Sequence, residues 1–261
     1  MSTTTDTQEI TVSKSGHVAT VTLNRPPNNH VSVGLMRDLA DTLERLDGDA
    51  DVRAVVLATA GKAFCAGADL VASDGIASNG MGGINALYDQ AVRLFSVETP
   101  IVVAVQGAAV GAGLGLALVG DFRVAAPEAR FTANFVKLGF HPGFGLTHTL
   151  PRVIGEQRAA LMFLTGRRVK AEEGLAWGLV DEVVPLEDLI PAAQRLAAEI
   201  AENAPLAVVA TRKTIRSDLA AAVRSQTDHE HAQQTILRAT EDFAEGVRAV
   251  QERRAGNFKG R

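Results

Sequence analysis

Between Ile101 and Gly120 the chain runs twenty residues without a charge, IVVAVQGAAVGAGLGLALVG. That is about long enough to cross a bilayer, but five of the twenty are glycines and the β-branched opening breaks at Gly107. A membrane helix is not built this way. The run reads instead as a buried strand over Ile101 to Val105, a glycine-rich turn, and a helix near residues 111 to 119. A strand apolar on both faces must be covered on both, which places it inside an α/β core.

The same unit recurs along the chain. Residues 10 to 13 and 17 to 23 alternate around a Lys14-Ser15-Gly16 turn, which predicts a hairpin with one buried face. Residues 33 to 47 put Leu35, Leu39, Leu43 and Leu46 on one helical face with Met36 beside them. Val52 to Ala58 is a second doubly covered strand, residues 84 to 97 a helix, and Phe122 to Ala126 a further strand. Residues 74 to 83 (DGIASNGMGG) read as a glycine-rich loop, with a lid and a disordered stretch as the two alternatives. From Gln157 onward the pattern is helical, with one short strand near Leu179 to Val184 and nearly continuous helix over 206 to 253. The expected division is a core over residues 1–200 and a helical region over 201–261.

Charge and cysteine usage narrow the function. With 26 basic against 30 acidic residues the net charge is -4, so no cationic field exists to draw nucleic acid or anionic lipid. A single cysteine, Cys65, excludes an intramolecular disulfide and any Cys-rich metal cage. The N-terminus, MSTTTDTQ, has neither the apolar stretch of a secretory signal nor the arginines of a transit peptide. A cytoplasmic protein is expected.

Two segments carry chemistry. Gly61 to Leu70 (GKAFCAGADL) follows a predicted strand and precedes a helix, and Gly107 to Gly115 (GAAVGAGLG) repeats that arrangement after the next strand. Small residues in both let a ligand approach the main chain, where amides at a helix start are free to donate. One such turn alone can serve close helix–strand packing. Two converging turns suit a carbonyl oxygen that gains negative charge, an oxyanion hole. A dinucleotide fingerprint is a poor fit, because GAGLG lacks the third glycine and the acidic residue farther on.

In order along the chain stand LNRP (23 to 26), AFCAGADL (63 to 70), VQGAAVGAGLGLALVGDFRVAA (105 to 126), LTGRRVKAEEGLAWGLVDEVV (164 to 184) and NFKG (257 to 260). This succession resembles the enoyl-CoA hydratase/isomerase, or crotonase, superfamily over essentially the whole chain. The resemblance implies a spiral of ββα units with a helical C-terminal trimerisation region, trimers often pairing into hexamers. It implies an acyl-CoA thioester substrate and no cofactor, coenzyme A being part of the substrate. Carried over residue by residue, the oxyanion donors are the amides of Ala68 and Ala112, and the Ala66 carbonyl holds the adenine. Gly67, Asp69, Leu70, Tyr88, Gly115 and Phe135 fall in the acyl site. Arg25, Lys62, Phe258 and Lys259 fall at the CoA nucleotide, the last two from a neighbouring subunit.

One departure from the family pattern bears on the reaction. Where the family's hydratases hold water between two glutamates, this chain has Gly115 and Phe135. Between Val105 and Leu150 the remaining carboxylates are Asp121 and Glu128, both in structural settings. The proton-handling candidate is then His141 in LGFHPGFG, with Tyr88 a second. His30, after LNRPPNN, reads as a structural hydrogen-bonding residue. The His229-Glu230-His231 run lacks the i, i+4 spacing of a helical metal site, so no metal is expected. Three readings stay open: an enoyl-CoA hydratase/isomerase type enzyme, a decarboxylase of malonyl-type thioesters, and a catalytically silent acyl-CoA binding protein.

Overall fold

A computed structural model describes residues 9–68 and 80–261. The N-terminal hairpin forms from β1 (Ile10–Ser15) and β2 (Val18–Leu23), paired antiparallel with Ser15 opposite Val18. Its turn is Gly16-His17, later than expected, because the tight connection needs the positive φ of 55° that Gly16 supplies. The buried face is also narrower than the alternation predicts. In β1 Ile10 is half-buried and the rest of the strand is exposed, whereas β2 buries Val18, Ala19, Val21 and Leu23. β1 is an edge strand of which only Ile10 packs against the core among the described residues.

Helix α1 (Val33–Asp47) matches its expected span. Ser32 caps it by accepting from the Leu35 N–H, and the predicted leucine face is buried. β3 (Ala54–Thr59), β4 (Ile101–Val105), β6 (Phe122–Ala125) and the two-residue β9 (Glu182–Val183) extend the hairpin into a six-stranded sheet, ordered β1-β2-β3-β4-β6-β9 and parallel from β2 onward. Alternate residues serve two cores. Val55, Leu57, Ile101 and Val103 face the main core with α1 and α2 (Gly80–Ser96). Ala54, Val56, Val102 and Ala104 face α7 (Leu189–Ala201), whose Ala192, Ala193 and Ala197 let it lie close.

The uncharged run from Ile101 divides between β4, a short strand β5 (Ala108–Val110), and α3 (Ala112–Ala117). Among the described residues no helix is long and apolar enough to cross a membrane. β5 joins β7 (Arg130–Thr132) and β8 (Arg168–Lys170) in a three-stranded sheet, order β5-β7-β8, which the sequence reading did not anticipate. Each has three residues, too few for an alternation to register. The loop expected over 74 to 83 is shortened, since α2 begins at Gly80; residues 74–79 lie outside the described residues. Beyond it come α4 (Leu146–Ile154), α5 (Glu156–Thr165), α6 (Ala171–Trp177), α8 (Pro205–Ile215), α9 (Leu219–Arg238) and α10 (Glu241–Gln251). The C-terminal helices return to the core: α9 lies along α2, and α10 against the turn at Phe135–Leu138.

Candidate functional site

The two small-residue turns are drawn together by the main chain. Cys65 N–H donates to the Ala108 carbonyl at 2.9 Å and the Val110 N–H to the Cys65 carbonyl at 2.9 Å, so the first turn is bonded to β5, which leads into the second. The approach is close enough to demand glycine. A Cβ on Gly113 would lie 2.1 Å from the Cys65 carbonyl oxygen, and one on Gly67 would lie 2.8 Å from the Val110 oxygen and 3.8 Å from the Ala112 nitrogen. Cys65 itself is buried and its thiol is pushed up to about 12 by that burial, so it is packing and not a nucleophile.

Ala68 and Ala112 line one cavity of about 390 Å³. Ala112 is the first residue of α3, so its N–H has no partner within the helix. Among the described residues, neither the Ala68 nor the Ala112 amide donates to a protein acceptor, whereas the neighbouring Ala66, Val110 and Gly111 amides all do. Two unengaged N–H groups on a largely apolar wall can receive an oxygen that carries or develops negative charge.

Of the residues predicted for the site, Ala66, Gly67, Tyr88 and Phe135 line this cavity with Ala68 and Ala112. His141 does not; its Nδ1 pairs with the adjacent Pro142 carbonyl at 2.8 Å, its ring meets the His229 ring edge-on, and burial lowers its pKa. Gly115 lies behind the wall. A Cβ there would stand 2.5 Å from Phe144 Cδ1, so the fully buried Phe144 ring fills the space a side chain at 115 would need. Arg25 faces Glu9 at 3.4 Å and donates to the His30 carbonyl. Lys62 and Phe258 are exposed outside the cavity lining, and the Lys259 N–H donates to Asp242 at 2.6 Å, tying the tail to the start of α10. Asp69 and Leu70 lie outside the described residues. No group of three or more His, Cys, Asp and Glu placed to hold a metal ion occurs among the described residues.

The sequence reading missed Gly143, Phe144 and Gln234, which line the cavity together with Phe140 and with Val247, Val250 and Gln251 from α10. Tyr88 Oη donates to Gln234 Oε1 at 2.8 Å, and Gln234 Nε2 donates to the His141 carbonyl at 2.9 Å. One turn earlier on α9, the buried Glu230 carboxylate accepts from the Gly145 N–H at 2.7 Å, the Thr147 N–H at 3.0 Å and Thr147 Oγ1 at 2.6 Å. Burial raises Glu230 to about 7. Both residues therefore fasten α9 to the loop that carries the aromatic wall. A signal existed: Val223, Thr227, Glu230 and Gln234 are buried at helical spacing on an otherwise polar helix.

An α/β fold with a helical C-terminal region is the architecture that the motif succession predicts. The enoyl-CoA hydratase/isomerase family model matches residues 13–261, and the chain belongs to that family. It is 40% identical over 230 residues to "Probable enoyl-CoA hydratase EchA14" of Mycobacterium tuberculosis (strain ATCC 25618 / H37Rv), covering 87% of this chain and 89% of that protein. It is 36% identical over 250 residues to the 1,2-epoxyphenylacetyl-CoA isomerase of Escherichia coli (strain K12), covering 94% and 95% respectively. Among solved structures, the enoyl-CoA hydratase/isomerase from Pseudoalteromonas atlantica T6c superposes with a TM-score of 0.86 at 34% identity, over 97% of this chain and 100% of that one. The fold is thus the crotonase fold.

Proposed function

We propose that the protein binds an acyl-CoA thioester and stabilises its enolate on the Ala68 and Ala112 amides, catalysing a proton shift of the isomerase type. The observation that carries this reading is the pair of unengaged N–H groups on one cavity wall. A hydrogen bond to a developing enolate oxygen strengthens as charge accumulates, so such donors favour the transition state over the bound substrate. Water addition is disfavoured. The resemblance has water held between two carboxylates, whereas no carboxylate lines the cavity among the described residues and Phe135 and Phe144 stand in its wall. Those rings favour a second reading, decarboxylation of a malonyl-type thioester, which needs enolate stabilisation and a dry site more than a base.

A proton shift delivers no electrons to an acceptor, so the reaction requires no cofactor beyond the coenzyme A that the substrate carries. The same reading has the chains assembling as homotrimers or hexamers, supported by the exposed apolar side chains of Leu206 and Ile215 on α8. Light scattering checks this.

The test of the function pairs binding with turnover of crotonyl-CoA, longer enoyl-CoAs and methylmalonyl-CoA. Ala112→Pro deletes one donor, and loss of one such donor costs about 10² to 10³ in turnover. Binding should persist while turnover falls by that factor; turnover retained in the variant overturns the assignment. Clear binding without turnover by the unaltered protein supports the silent reading instead.

A further inference from the structure

Two side chains that can exchange a proton line the cavity among the described residues, the Tyr88 phenol and the His30 imidazole. Their settings are opposite. Tyr88 is 4% exposed and its Oη gives its hydrogen to Gln234, while burial pushes its pKa upward. A phenol whose proton is engaged by an amide oxygen, and whose ionised form is desolvated, is a poor base.

His30 is held from one side and open on the other. Its Nδ1 lies 3.1 Å from the Gly67 carbonyl oxygen. A carbonyl accepts and cannot donate, so Nδ1 carries a hydrogen, and in the neutral ring the lone pair is then on Nε2. Gly67 directly precedes Ala68. The turn that presents one of the free amides therefore also fixes the tautomer and orientation of the imidazole. The backbone on both sides is pinned, since the Val31 N–H donates to the same Gly67 oxygen at 3.0 Å and Arg25 Nη1 donates to the His30 carbonyl at 3.3 Å. The structural hydrogen bond expected of His30 is present, and it leaves Nε2 without a partner among the described residues, on the lining of the cavity that holds Ala68 and Ala112.

We propose that His30 is the acid and base of the reaction, a role that rests on the enolate reading above. Nε2 takes a proton from the carbon α or γ to the thioester carbonyl, and the C–H electron pair moves into the conjugated system. Negative charge settles on the thioester oxygen between the Ala68 and Ala112 amides. The imidazolium then returns the same proton to the other carbon, the enolate collapses, and the double bond has moved with no net gain or loss of atoms or electrons.

The experiment follows exchange of the α-hydrogens of butyryl-CoA, a saturated thioester that cannot isomerise, in deuterium oxide by mass spectrometry, with butyryl-CoA affinity measured in parallel. His30→Gln keeps a donor for the Gly67 carbonyl and removes the basic nitrogen. It should bind within about threefold of the unaltered protein and lose about 10² to 10⁴ in exchange rate, the contribution typical of general acid–base catalysis. His30→Ala should regain part of the exchange when imidazole is added. Exchange in His30→Gln within about threefold of the unaltered protein, or a loss of exchange matched by an equal loss of affinity, overturns the proposal. If Ala112→Pro abolishes turnover while His30→Gln does not, the enolate reading stands and His30 falls. If the unaltered protein binds the thioester without exchanging it, both fall together.

Discussion

The molecule has a second and larger hollow, of about 740 Å³, bounded by residues of α4 and α8 and the start of β6. Size would favour it as the reactive site; its polar groups argue otherwise. Asp121 anchors that hollow, accepting from the Ile101 N–H at 2.8 Å, Arg212 Nε at 2.9 Å and Arg216 Nη1 at 2.8 Å. Two guanidinium nitrogens of this cluster, Arg212 Nη2 and Arg216 Nε, have no partner among the described residues and are buried. In the smaller cavity the free donors are main-chain amides on an open wall. The larger hollow has engaged its carboxylate in holding elements together, whereas the smaller one presents main-chain donors that bond no acceptor among the described residues. Volume by itself does not identify a site.

If that contrast holds, damage to the larger hollow should fall on stability and spare the chemistry. Asp121→Ala leaves two buried arginines without their carboxylate, and breaking such a cluster typically costs about 3 to 5 kcal/mol. Urea denaturation should show that loss, with crotonyl-CoA affinity of the folded fraction unchanged. A stable Asp121→Ala protein that no longer binds the thioester would break the comparison.

Around the smaller cavity the buried charge is Glu230, and it should tie stability to pH. Burial raises its folded pKa to about 7, above the unfolded carboxylate value near 4.5. The fold therefore favours the protonated form. The contribution is fully present below about pH 4.5 and is lost as pH rises through about 7, a change on the order of 3 kcal/mol. Glu230→Gln, measured across this window by denaturant titration, should flatten the slope relative to the unaltered protein. An unchanged slope would show that another group carries it.

A smaller effect is expected where Phe144 meets Gly115. Gly115→Glu drives a side chain into the Phe144 ring and should destabilise by about 1 to 3 kcal/mol. With Phe144→Ala the clash disappears, so the two changes should be non-additive by about 0.5 to 3 kcal/mol in a thermal double-mutant cycle. Strict additivity would mean the two positions do not compete for one space.

The regular elements were legible because their signals are local. The α1 span, the Ile101–Val105 strand and the helical C-terminal run follow from periodicity within a single stretch. The three-residue strands β5, β7 and β8 were not, and the exposed face of β1 shows that alternation does not guarantee a covering layer. On the site, the amide-bearing turns were readable from small residues following strands. Which histidine lines the cavity was not readable: it is His30, and not the His141 that the sequence singled out. A histidine in a pocket-lining loop and one after an asparagine look alike in sequence, and the direction of the ring is set by neighbours such as Gly67, far along the chain.

The sequence by itself determined the α/β succession, the two turns without side chains to block a ligand, and the uncharged residues at positions 115 and 135, because each is a property of a short segment. The tertiary structure decided that Phe144 fills the space beside Gly115, that Glu230 and Gln234 of α9 fasten the aromatic wall, and that His30 stands at the cavity while His141 turns aside. These are contacts between residues many positions apart, fixed by how helices and strands pack, and no local period encodes them.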